Sequence, residues 1–258
     1  MTALLELASV SRHFGGIKAV EGLSLAVGVG QIVALIGPNG AGKTTAFNVI
    51  TRIFDATAGA VVLSLPCGSR ADVTRWPTHR ICAAGVARTF QNIRLFGDLS
   101  ALHNVKLGLH QHTRGGLAGA LLRWPIRDEE RAVEHAAWRY LDFVGLADRA
   151  HQVAASLPYG DQRRLEIARA LACQPRLLLL DEPAAGMHPQ EKVALAKLIA
   201  KIRDAGVTIL LIEHDMKLVM NVSDRVFVLD HGQLIAEGSP AQVSRDPAVI
   251  EAYLGASP

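Results

Sequence analysis

Three cysteines in 258 residues, Cys67, Cys82 and Cys173, are too few and too scattered for a disulfide framework, and with no C-x-x-C pair they do not make a zinc ribbon. Free thiols in a reducing, cytosolic compartment are the expectation. Aromatic residues are scarce at 5 %, and Lys plus Arg exceed Asp plus Glu only by 27 to 24. No basic cluster interleaved with aromatics runs along the chain, so nucleic acid is not an expected partner. No uncharged apolar run approaches the roughly 18 residues of a membrane span. The opening MTALLELASV lacks the basic region and long apolar segment of a signal peptide. The protein is expected not to cross a bilayer unaided. His103, His110 and His112 lie close together, but no Cys or carboxylate falls among them at ligand spacing, and they read as solvated side chains.

What is present is a globular pattern, half of it hydrophobic, long enough for one elaborated α/β domain or a core carrying an insertion. Short strands come first: LLELASV, LSLAV and QIVALIG. A helix follows over TTAFNVITRIF, with Phe47, Ile50 and Phe54 at helical spacing, and AGAVVLSL returns to strand. From about Asp98 to Ser156 the pattern is helical, clearest in DEERAVEHAAWRYLDFVGL, which is acidic at its start and ends near Gly145. Within it, HTRGGLAGALLRWP reads either as a loop or short amphipathic piece or as a disordered bridge. Then strands and helices alternate: QRRLEIARALA, LLLLD, EKVALAKLIAKIRDAG, VTILLIE, DMKLVMNV, RVFVLD. That alternation predicts a parallel sheet.

The stretch QPRLLLLDEPAAGMHPQ poses the functional question. A short apolar run ending at turn formers predicts a strand buried on both faces, and the carboxyl end of such a strand is where parallel sheets bind ligands. Taken alone, Asp181 and Glu182 either face a ligand or merely solvate a strand end that Pro183 stops. GPNGAGKTT decides between them. It follows QIVALI and opens a helix, so it satisfies G-x-x-x-x-G-K-[ST] in its proper strand-to-helix context. Gly37, Gly40 and Gly42, with Pro38, Asn39 and Ala41 between them, let backbone N–H groups ring the phosphates at a helix amino end. Lys43 is placed to reach the β and γ phosphates of ATP. Thr44 offers a hydroxyl to Mg²⁺, a hard ion that prefers oxygen ligands, and Thr45 is placed to donate to the α phosphate. Such a site needs a second-strand Asp near the magnesium, and LLLLD supplies Asp181. Glu182, one residue beyond, is expected to orient and deprotonate the attacking water. His214, at the end of ILLIEH, is expected to reach the γ phosphate from the next strand.

Together GPNGAGKT, TFQ, LPYGDQRRLEIARAL, LLLLDEP and IEHD occur in an order and spacing that resembles the ATP-binding subunit of ABC transporters over nearly the whole chain. The resemblance implies an α/β, RecA-like P-loop ATPase core (1–92 and 157–258) with an N-terminal antiparallel β subdomain and a helical subdomain inserted at 93–156. It implies that Phe14 stacks on adenine and that Gln91 joins the catalytic core and its Mg²⁺ to the insertion. It further implies that Tyr159, Gly160 and Asp161 of the signature contact nucleotide across a dimer of ATP-binding subunits. TFQNIRLF, the long insertion, the YG signature, EPAAGMHP, IEHDMKLVM and the final AYLG resemble the ATPase subunits of branched-chain amino-acid importers. Those partner a second ATPase subunit, two membrane permease subunits and a periplasmic or extracellular solute-binding protein, at the cytoplasmic face of the cell membrane. A soluble ABC-type ATPase and a nucleotide-gated switch are the alternatives; Glu182 speaks against the switch, which needs no base. GTP is not expected, since no N-K-x-D sequence appears.

Two departures from that family pattern stand out. Pro158 takes the place of a customary serine, so phosphate contacts there are expected from backbone N–H groups around Tyr159 and Gly160. Ala185-Gly186-Met187-His188 replaces S-A-L-D and removes the usual acid.

Overall fold

The computed structural model describes residues 3–110 and 126–254. His112, the HTRGGLAGALLRWP segment and the last residue of AYLG lie outside them. In chain order the elements are β1 (Ala3–Phe14), β2 (Ile17–Gly28), β3 (Ile32–Ile36), α1 (Lys43–Ile50), β4 (Ala58–Ser64), β5 (Arg70–Asp72), α2 (Thr78–Ala83), β6 (Val86–Arg88), α3 (Ala101–Leu109), α4 (Ile126–Phe143) and α5 (Tyr159–Ala172). There follow β7 (Leu177–Asp181), α6 (Pro189–Asp204), β8 (Thr208–Ile212), α7 (Met216–Val222), β9 (Arg225–Asp230), β10 (Gln233–Gly238), α8 (Pro240–Val243) and α9 (Pro247–Leu254). These form two compact units, Met1–Val86 with Arg176–Pro258, and Ala87–Pro175. The insertion expected at 93–156 falls within the second.

The first unit holds an antiparallel sheet, β2-β1-β4-β5, and the strands β10-β9-β3-β8-β7 of a second sheet. In the second sheet β9, β3, β8 and β7 run parallel, and β10 pairs antiparallel with β9. IVALI, LLLLD and TILLI are buried at every position, because a parallel strand covered on both faces has no solvent side to mark with polar residues. One apolar core gathers Phe47 and Ile50 of α1 with residues of both sheets, and a smaller one joins Ile36 and Val228 to Val219, Val243 and Val249. Register carries the functional consequence. Asp181 lies opposite Ile212, and Ile212 opposite Leu35, so the carboxyl ends of β7, β8 and β3 are level.

Helix α1 is shorter than the spacing of its apolar residues predicts. It stops at Ile50 because Arg52 takes a left-handed conformation, φ 58°, and the N–H groups of Ile53 and Phe54 turn back to the Asn48 carbonyl. Phe54 therefore leaves the helix and meets Phe14 instead. The short elements β5, α2 and β10 carry little apolar periodicity and are not predicted by it.

The second unit is helical after β6. Ser100 caps α3 by accepting the His103 N–H at 3.2 Å, and Leu102, Val105, Ala137, Leu141, Leu146 and Leu165 form its interior. At its centre is a buried ion pair: Arg163 and Glu166 are 0 % and 1 % exposed, 3.0 Å apart, one helical turn from each other on α5. Arg163 donates to the carbonyls of Phe90 (2.6 Å) and Gln91 (2.7 Å), while Glu166 accepts the N–H groups of Phe90 and Arg94, both at 3.3 Å. Asn104 adds a two-way bond to the backbone of Phe96. The loop from Phe90 to Phe96, which has no regular structure of its own, is thus held by side chains. Removing one partner of such a pair strands the other charge in the interior. Glu166→Ala is expected to destabilise the protein by about 3–5 kcal/mol in equilibrium denaturant unfolding; an unchanged midpoint would show that the pair carries none of this load.

Candidate functional site

The loop of residues 37–42 joins β3 to α1 and depends on two close backbone approaches. Gly37 has φ 148°, and a Cβ there would stand 2.0 Å from the Leu229 carbonyl oxygen; Gly42 has φ 99°, and its Cβ would stand 2.3 Å from the Ala19 carbonyl oxygen. No L side chain fits either place without moving backbone. Gly42 also precedes the first turn of α1, where the Ala46 N–H is the first to bond back, to Gly42 at 2.9 Å. The N–H groups of Lys43, Thr44 and Thr45 thus point out of the helix end, as an anion site requires. Ala41 is buried, Pro38 and Thr45 are half-buried, and Asn39, Gly40 and Thr44 are exposed.

Lys43 is 5 % exposed and its ammonium donates to the carbonyls of Gly37 and Pro38, both at 2.8 Å. Burial lowers its pKa below that of an ordinary lysine, while the charges of Glu182 and Asp181 push it back up. Asp181 closes β7 with a buried carboxylate. Glu182 then takes a left-handed conformation, φ 46°, with its N–H bonded to the Ile212 carbonyl at 2.9 Å. Strain of this kind at a non-glycine residue survives only where the surroundings over-determine it. Here the side chain is tied as well, its Oε1 2.7 Å from His214 Nε2.

The structure therefore gathers Lys43, Asp181, Glu182 and His214 along the level strand ends. For a divalent cation, the Asp181 carboxylate and the Thr44 hydroxyl are both hard oxygen donors. Among the described residues no group of three or more His, Cys, Asp or Glu side chains forms a cage. Few protein ligands, with phosphates and water completing the shell, suits Mg²⁺.

Phe14 sits at the end of β1, 38 % exposed. Its ring meets the edge of Phe54 at 5.2 Å between centroids, and the Arg12 guanidinium lies 4.4 Å from its centre. Gln91 and the signature residues 158–161 belong to the second unit, and His188 to the first. Gln91 has an exposed side chain and a backbone held by Arg163. Pro158 precedes α5 with φ −53°, and its carbonyl accepts the N–H groups of Asp161 and Gln162, both at 2.9 Å. The N–H groups of Tyr159 and Gly160 are then the leading donors of that helix. Tyr159 is exposed but its hydroxyl accepts from Arg163 at 3.0 Å, and the buried Asp161 carboxylate is paired with Arg149 and Arg164. Asp161 in this arrangement anchors the start of α5. His188 precedes α6, its N–H donating to Glu191 at 2.8 Å.

One residue beside the site escapes the motif reading: Glu213, between the apolar end of β8 and His214. It is 3 % exposed, and its carboxyl group accepts the N–H groups of Ala184 (2.7 Å), His214 (3.0 Å) and Asp215 (3.3 Å). Burial pushes its pKa up against those hydrogen bonds. An acid immediately after TILLI is the signal that marks it.

A family model described as ABC transporter matches residues 20–185, and one described as branched-chain amino acid ATP-binding cassette transporter matches residues 233–257. The chain is 45 % identical over 255 residues to the high-affinity branched-chain amino acid transport ATP-binding protein BraF of Pseudomonas aeruginosa, covering 98 % of both chains. It is 44 % identical to the protein LivG of Escherichia coli of the same description, again over 98 % of both. A solved nucleotide-free ATP-binding cassette from an ABC transporter resembles it with TM-score 0.83 at 30 % identity, covering 98 % of this chain and 99 % of that one. The ADP conformation of another such cassette gives 0.84 at 32 %, covering 99 % and 100 %. With a phosphate loop, a strand-end acid pair and a histidine assembled as described, and with this likeness along its whole length, the chain belongs to the ATP-binding subunits of ABC transporters.

Proposed function

We propose that this chain hydrolyses ATP to power an importer of branched-chain amino acids or a closely related small solute. The observation that carries the reading is the single strand-end row in which the Lys43 loop, Asp181, Glu182 and His214 meet. The N–H groups of the phosphate loop and of the first turn of α1 cradle the phosphates, and Lys43 neutralises charge on the β and γ groups. Thr44 and Asp181 would hold Mg²⁺, which would supply charge neutralisation for the phosphates. Glu182 accepts a proton from the attacking water, with His214 fixing the carboxylate from the neighbouring strand. Phe14 offers a ring to adenine.

Identity of 45 % over the full length to a branched-chain amino acid transport subunit supports the solute class. A second ATP-binding subunit and two membrane permeases are the partners such a subunit needs, with a solute-binding protein outside the membrane. Among the described residues no helix is long and apolar enough to cross a membrane, so the path for solute must come from those partners. We place the chain peripherally at the cytoplasmic face of the cell membrane.

Two measurements test this. Glu182→Gln is expected to bind ATP and Mg²⁺ with near-normal affinity while kcat falls about 10²–10⁴-fold, the usual weight of a general base; hydrolysis at the wild-type rate would remove Glu182 from that role. The Lys43 shift makes the second prediction. Its pKa in the free protein is lowered, so with rising pH the ammonium is lost earlier than from an ordinary lysine at about 10.4. The profile of kcat/KM, which reports the free protein, is expected to fall on its alkaline side below that value. Lys43→Arg, charged throughout, is expected to lose this limb while working less well, and an identical limb in both proteins would assign it elsewhere.

A further inference from the structure

The carboxyl group of Glu213 lies between two loops that carry different parts of the site. Its Oε1 accepts from Ala184, two residues after Glu182, and its Oε2 accepts from His214 and Asp215. Both oxygens face N–H donors, so a carboxyl proton would find a donor wherever it pointed. Burial raises the pKa of this carboxyl group, and the three N–H groups oppose that by favouring its ionised form. A second rung runs parallel to the first: Lys192 of α6 meets Asp215 at 2.8 Å, and Asp215 caps α7 by accepting the Leu218 N–H at 3.1 Å. The first rung ties the segment between β7 and α6, and the second ties α6 itself, to the residues around His214. This is the segment in which His188 stands where an acid is customary.

We propose that Glu213 is a positioning residue for hydrolysis: one buried carboxylate couples the segment of residues 183–188 to His214 and so sets the Glu182–His214 hydrogen bond. The proposal rests on Glu182 acting as the base. The strand pairing gives the coupling its stiffness. The Glu182 N–H extends the β7–β8 ladder to Ile212, Glu213 is the next residue along, and its three donors are backbone amides, which cannot swing away as a side chain would. Movement at Ala184 therefore reaches the His214 backbone, and with it the placement of the imidazole, through one buried carboxylate. Aspartate keeps the charge but is a methylene too short to reach both loops. Glutamine keeps the length but turns an NH₂ group toward an N–H donor, which breaks one side of the bridge.

The test is a double-mutant cycle on the full chain assembled with its membrane partners. Glu213→Gln is expected to lower kcat about ten- to a hundredfold with KM for ATP within about twofold, as misplacement of a reacting group does. In that background His214→Ala is expected to cost far less than it does alone, because the imidazole has already lost its place. A merely structural Glu213 would lower the melting temperature and leave the two losses additive, and additivity overturns the proposal. So does a folded Glu213→Gln protein with normal kcat. Should Glu213→Gln fail to fold, Glu213→Asp gives the same cycle with the charge retained. Failure of the underlying reading looks different: wild-type hydrolysis by Glu182→Gln removes the base whatever the cycle shows, whereas an inactive Glu182→Gln with an additive cycle removes only the positioning role.

Discussion

The parallel pairing of β7, β8 and β3 is the constraint on which the site depends. With Asp181 opposite Ile212 and Ile212 opposite Leu35, three strands end at one level, and whatever follows each of them is delivered to the same edge. After β3 comes the phosphate loop, after β7 the acid pair, after β8 the Glu213-His214 pair. Slipping β7 by a single residue would turn every side chain to the opposite face and put Asp181 out of line. The register is strongly specified because each of these strands is apolar and buried at every position.

On that edge the groups hold one another. Glu182 occupies a left-handed conformation that an isolated glutamate avoids, and it is kept there by a backbone bond on one side and His214 on the other. Lys43 is buried enough to lose some of its basicity, and the two acids return part of it. The lysine and the two acids therefore share one electrostatic environment. The same economy appears in the second unit, where Arg163 and Glu166 spend a buried ion pair on holding backbone that has no ladder of its own.

Both arrangements use a buried carboxylate to accept main-chain N–H groups from a loop: Glu213 from Ala184, His214 and Asp215, Glu166 from Phe90 and Arg94. A charged acceptor makes a stronger bond than a neutral one, and burial keeps water from competing for the donors. Exposed pairs would hold these loops less firmly, since water and salt weaken them.

The local pattern of the chain was enough for the phosphate loop, the buried strands and the acid pair, because glycine spacing, a lysine after it and apolar runs ending in carboxylates each express a requirement that lies within a few residues. It misjudged α1, whose apolar spacing continues to Phe54 although Arg52 reverses the backbone, and it passed over β5, α2 and β10, which are too short or too exposed to show a period. What it did not contain was the meeting of residues far apart: Phe14 against Phe54, Asp161 against Arg149, Glu213 across from Ala184. These are contacts between segments, set by strand register, helix crossing and burial. A side chain written beside a motif becomes part of a site only when packing has decided which backbone stands opposite it.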